Sequence, residues 1–70
     1  MSKKTELYRV EALHQLAKYT GSDFGKFATI EDATEWAIAF GRKKGAEYVI
    51  LFKKDTNRYN HYTEVKRVNL

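Results

Sequence analysis

The sequence predicts a small α+β domain of ββαββ type, an antiparallel sheet with one helix packed on one face. Three observations carry that prediction. Residues 30–44 place Ile30, Ala33, Ala37 and Phe40 at helical spacing, with Trp36 beside them. The run Tyr48-Val49-Ile50-Leu51-Phe52 is aromatic and β-branched and is bounded by turn formers. The chain has 70 residues, no proline and four scattered glycines, so no linker divides it and residues 1–70 form a single domain.

The elements follow in order. Tyr8, Val10 and Ala12 alternate with Arg9 and Glu11, as in a half-exposed strand over about residues 6–13. Leu7, Val10, Leu13, Leu16 and Ala17 also fit a helical stripe. The alternative is therefore an N-terminal helix over about 6–19, giving αβαββ. Thr20-Gly21-Ser22-Asp23 carries a turn signal, and Phe24-Gly25-Lys26-Phe27-Ala28 reads as a second strand entering the helix.

The helix is expected over about residues 30–44. Thr29 can cap its first-turn amides. Glu31, Asp32 and Glu35 lie near the positive end of the helix dipole, and Arg42, Lys43 and Lys44 at the negative end. Gly45 suits the left-handed residue that closes a helix, and Gly41 weakens the last turn by roughly 1 kcal/mol relative to alanine. A third strand follows over 46–54, a turn over 55–58 and a returning strand over 59–68.

Composition excludes several classes. Apolar content of 43% with 14% aromatic is too rich for a disordered chain. With no cysteine there is neither a disulfide framework nor a thiolate metal site, which favours a cytoplasmic location. Apolar runs reach five residues, far below a membrane span, and no apolar signal core follows Met1-Ser2-Lys3-Lys4. The start at Met1 fits a free-standing small protein.

Positive charge is uneven. Residues 1–40 hold five basic and six acidic side chains, whereas residues 41–70 hold eight basic and three acidic. The basic half also carries Tyr48, Tyr59, His61 and Tyr62. Charge with interleaved aromatics suits a phosphate-bearing partner, nucleic acid or nucleotide. The candidate contacts are Arg42, Lys43, Lys44, Lys53, Lys54, Arg58, Lys66 and Arg67 for phosphates, with Tyr59, His61 and Tyr62 for stacking or hydrogen bonding. Each cation also has a structural reading. Arg42-Lys43-Lys44 complements the helix dipole, Lys53 and Lys54 guard the aggregation-prone strand, and Lys66 and Arg67 guard a sheet edge.

Other motifs carry less. Gly21-Ser22-Asp23-Phe24-Gly25-Lys26-Phe27 departs from a P-loop, having three residues between glycines and Phe27 after the lysine; its plain reading is a β-turn. His14 and His61 lie far apart and outside any metal motif, so no metal or cofactor is expected. Glu31 and Glu35 pair at i,i+4 but serve the helix start, and no nucleophile is patterned with a base. An enzyme is not expected.

The junction Phe27-Ala28-Thr29-Ile30-Glu31-Asp32-Ala33 is loosely similar to that of small phage-encoded ββαβ proteins, a likeness that does not fix function. The leading expectation is a small non-enzymatic binding protein using its C-terminal basic and aromatic surface. The alternative is a small phage-type modulator or inhibitor of a larger protein, which would use an exposed sheet face or the acidic helix start. Tyrosine suits both stacking on bases and protein contacts. Trp36 and Phe40 are expected in the core, and an exposed Trp36 would instead anchor a partner. An exposed strand edge can pair with its copy in a homodimer.

Overall fold

A computed structural model describes residues 4–55 and 61–70. It contains β1 (Glu6–His14), β2 (Lys18–Phe27), α1 (Ile30–Lys44), β3 (Tyr48–Lys54) and β4 (Tyr62–Asn69). The four strands form one sheet in the order β2-β1-β3-β4, with every neighbouring pair antiparallel. The helix lies on one face, so the ββαββ architecture is as the sequence predicts.

Alternation along β1 decides which side chains meet the helix. Tyr8, Val10 and Ala12 are buried against it, and Val49 and Leu51 join them from β3, where Val10 pairs with Leu51 and Ala12 with Val49. Ala33 and Ala37 complete the core from α1, and Phe27, Trp36, Phe40, Ala46 and Val68 pack at its margin. Trp36 stacks 4.9 Å from Phe27, so it belongs to this packing rather than projecting as a partner anchor.

Small residues set how closely the helix sits. Ala33, Ala37 and Gly41 recur every four positions and are the buried residues of α1. A β-carbon on Gly41 would overlap Val49 Cγ1 and lie 2.7 Å from Leu70 Cδ1. Gly25 makes similar room on β2, where a β-carbon would lie 2.7 Å from Cε2 of the Phe27 ring. Steric space, rather than backbone freedom, thus accounts for both glycines.

Both helix ends are closed as expected. Thr29 Oγ1 accepts the Asp32 amide at 3.1 Å. Gly45 adopts φ 70°, and its amide donates to the Arg42 carbonyl while that of Ala46 donates to Gly41.

The expected turn at 20–23 is corrected. Those residues lie inside β2, and the chain reverses instead through a 3-10 turn at Gln15–Ala17, with Leu16 at φ 61°. Gly21 pairs with Ala12 and Gly25 with Tyr8, on the helix side, where a β-carbon would meet Lys44 and Phe40 at ordinary contact distance at Gly21, and would lie 2.7 Å from the Phe27 ring and 3.3 Å from the Trp36 ring at Gly25. The glycines are therefore strand positions under bulky helix residues, and the β-turn reading of 21–27 fails with the turn at 20–23. Nor is the N-terminal helix over 6–19 formed. Leu7 and Leu13 lie on the side of β1 opposite Val10, so the apparent stripe reflects a strand that is apolar on both faces.

The returning strand begins at Tyr62, and the expected turn residues 56–58 and Tyr59 lie outside the described residues. One bulge leaves Thr20 between paired residues of β2, and another leaves Val65 between Glu64 and Lys66 of β4.

Replacing Gly41 with alanine tests the seam. Helix propensity alone would stabilise the variant by about 1 kcal/mol. Overlap with buried Val49 is expected to reverse that sign, leaving Gly41→Ala destabilised by about 1–3 kcal/mol in urea unfolding.

Candidate nucleic-acid interface

One helix covers one face of the sheet, and the alternate side chains stand on the other. That side carries Leu7, Arg9, Glu11 and Leu13 of β1 and Tyr48, Ile50, Phe52 and Lys54 of β3. From the edges come Tyr19, Phe24 and Lys26 of β2 and Tyr62, Glu64 and Arg67 of β4. Ile50 is 7% exposed and Leu13 8% exposed, although neither belongs to the helix-side core. Their cross-strand neighbours account for this burial. Ile50 lies between Glu11 and Arg67, and Leu13 between Tyr19 and Tyr48.

Aromatic and guanidinium groups are interleaved here. The Arg9 guanidinium lies 5.9 Å from the ring centres of both Phe24 and Phe52. Phe24 and Tyr62 come from opposite edges, yet their ring centres are 6.0 Å apart. Three strand spacings would separate their backbones by about 14 Å. Both rings must therefore reach inward over the central strands, close to Arg9 and Phe52. Phe24 is still 53% exposed. At the far end of β3, Arg67 lies 5.7 Å from the Tyr48 ring.

The charge of this side is net positive. Arg9 is paired with Glu11, and Arg67 with Glu64 at 3.2 Å. Lys26 and Lys54 have no ion-pair partner among the described residues. Two cations in excess thus lie at one end of the aromatic cluster, two residues beyond Phe24 on β2 and Phe52 on β3.

The structure separates the cations that the sequence grouped. Arg42, Lys43 and Lys44 are exposed at the helix end, with Lys44 Nζ 5.6 Å from the Phe40 ring. Lys53 and Lys66 stand on the helix side of the sheet, opposite Thr63 and Leu51 respectively. Lys53 is ion-paired with Glu6, and this hydrogen-bonded carboxylate raises its pKa above the ordinary 10.5. Because that shift is upward, the contribution is complete below pH 10.5 and is lost only in stronger alkali. His61 Nδ1 lies 3.7 Å from the Asp55 carboxylate. Lys54, Tyr62 and Arg67 share the uncovered side, while Arg58 and Tyr59 lie outside the described residues. The seven described C-terminal cations do not form one surface.

Sequence reasoning missed Arg9, Phe24, Lys26 and Phe52. A signal was available in the unbroken apolar run 48–52, which makes β3 apolar on both sides although one helix can cover only one. Other clusters are slight. His14 Nδ1 lies 3.3 Å from Glu47 Oε2, joining the starts of the β1–β2 turn and β3. A shallow recess is lined by Glu6, Lys53, Lys54, Asp55, Thr63 and Val65. No group of three or more His, Asp or Glu side chains among the described residues is placed to hold a metal ion. No described helix is long and apolar enough to cross a membrane.

The hairpin tip stands apart from all of these. Leu16 is fully exposed and holds a left-handed backbone. Bulky residues adopt that conformation at a cost of about 1–2 kcal/mol. Leu16→Gly is expected to raise stability by roughly 1 kcal/mol, seen as a higher urea midpoint with unchanged slope.

Compared with known protein families, curated proteins and solved structures, the chain matches none.

Proposed function

We propose that this chain is a small non-enzymatic binding protein that engages nucleic acid or a nucleotide. The supporting observation is the uncovered sheet face, where Arg9, Phe24, Phe52 and Tyr62 cluster beside Lys26 and Lys54. Nucleic acid offers two chemistries at once, an anionic backbone and flat π-faced bases. The array offers the complement of each. Of the C-terminal residues, Lys54, Tyr62 and Arg67 serve this face directly, and Arg42, Lys43 and Lys44 add longer-range attraction from the helix end.

A second reading is favoured by Leu16. A fully exposed leucine in a left-handed backbone weakens the fold, and a residue kept at such a cost is suited to an apolar pocket on a larger protein. In that reading the chain is a modulator, and the β1–β2 tip is its anchor.

Titration by fluorescence anisotropy at two salt concentrations separates them. The first reading predicts micromolar binding of oligonucleotides that weakens as salt rises, with a log–log slope of about −0.7 per phosphate on single strands. Lys54→Ala is expected to reduce the magnitude of that slope by about 0.7, one phosphate contact. No binding at low salt would refute the first reading. Retained oligonucleotide binding in Leu16→Gly is expected under the first reading.

A further inference from the structure

We infer that the uncovered sheet face takes single-stranded nucleic acid in preference to duplex, with bases stacking at two aromatic stations. This rests on the nucleic-acid reading above and deepens it. One station is Phe24, Phe52 and Tyr62 around Arg9. The other is Tyr19 and Tyr48, which pair with the same residue, Leu13, from either side. Phe52 and Tyr48 are four residues apart on β3, so the stations are separated by about 14 Å.

Three observations favour a single strand. First, rings are accessible at both stations, because Phe24 and Tyr19 are each 53% exposed. An exposed ring gains little from a duplex, whose bases are already stacked on one another, but it can stack on an unpaired base. Second, the helix lies on the opposite side of the sheet, so it cannot enter a groove while the aromatic side faces the same partner. Third, the cations are divided between the helix end, the helix side of the sheet and the uncovered side. A stiff duplex cannot meet all three together, whereas a flexible strand laid across the sheet needs only the local excess at Lys26 and Lys54. The guanidinium groups of Arg9 and Arg67 are already turned onto rings, which adds cationic character to the stacking surface.

The test uses the full chain and a labelled oligonucleotide of about twelve residues, a length within known single-strand site sizes. Its binding is compared with that of the same sequence as duplex and of a mononucleotide. Phe24→Leu and Tyr62→Leu remove one ring each and retain apolar volume. Trp36, packed on the helix side, reports by its emission whether each variant is folded. If either variant unfolds, Tyr19→Leu removes an exposed ring in its place.

The single strand is expected to bind at least about tenfold more tightly than the duplex. Each folded variant should lose about tenfold on the single strand and less than about twofold on the duplex. Equal affinity for both forms would overturn the inference while leaving the nucleic-acid reading standing. So would a mononucleotide that binds as tightly as the oligonucleotide, or folded ring variants with unchanged affinity. Failure to bind either form would remove both the inference and the reading beneath it.

Discussion

The seam between α1 and the sheet is the constraint from which the remaining features follow. Ala33, Ala37 and Gly41 present almost no side-chain bulk, so the helix backbone approaches Val49 and its neighbours closely. Close approach lets one fifteen-residue helix, about 22 Å long, bury Tyr8, Val10, Ala12, Val49 and Leu51 together. The molecule is consequently thin, with a shortest dimension of 15 Å, which leaves room for two layers and not three. A chain of 70 residues buries only roughly 60% of its unfolded surface, and this one concentrates that burial on one side of the sheet.

The other side has to be finished without a covering element. It is finished by rings leaning in from both edges and by arginines laid over them, each arginine held by a glutamate. Partly exposed ion pairs of this kind contribute little stability, so their main effect here is to orient the guanidinium groups. The same arrangement that shields Ile50 and Leu13 also leaves Phe24 and Tyr19 half-exposed. Structural need and the proposed binding surface therefore fall on one set of residues. Lys26 and Lys54, which have no acidic partner among the described residues, give this side a positive excess.

Much of this was legible in the sequence. The helix was read with both of its ends, because Thr29 and Gly45 act through local hydrogen bonds and backbone conformation that need no tertiary context. The hairpin turn was misread for the opposite reason. Gly21 and Gly25 look like turn residues until the rings above them are known, and Leu16 has no turn chemistry to announce a reversal. The candidate surface was only partly legible. Charge counts along the chain placed the cations in one half, but strand alternation sends Lys53 and Lys66 to one side and Lys54 and Arg67 to the other. Arg9 and Phe24 lie in the half with no net positive charge, so no charge count could find them; only the pairing Arg9–Phe24 and Arg9–Phe52 does.

The central claim is that binding occurs on the uncovered sheet side rather than on the basic helix end. Aromatic side-chain resonances followed by NMR during titration with a single-stranded oligonucleotide address it most directly, because rings occupy both sides of the sheet. Shifts in the ring signals of Phe24, Phe52 and Tyr62, with Trp36 and Phe40 unmoved, are the predicted result. Shifts centred on Phe40 and the amides of Arg42, Lys43 and Lys44, with the three open-side rings unmoved, would contradict it.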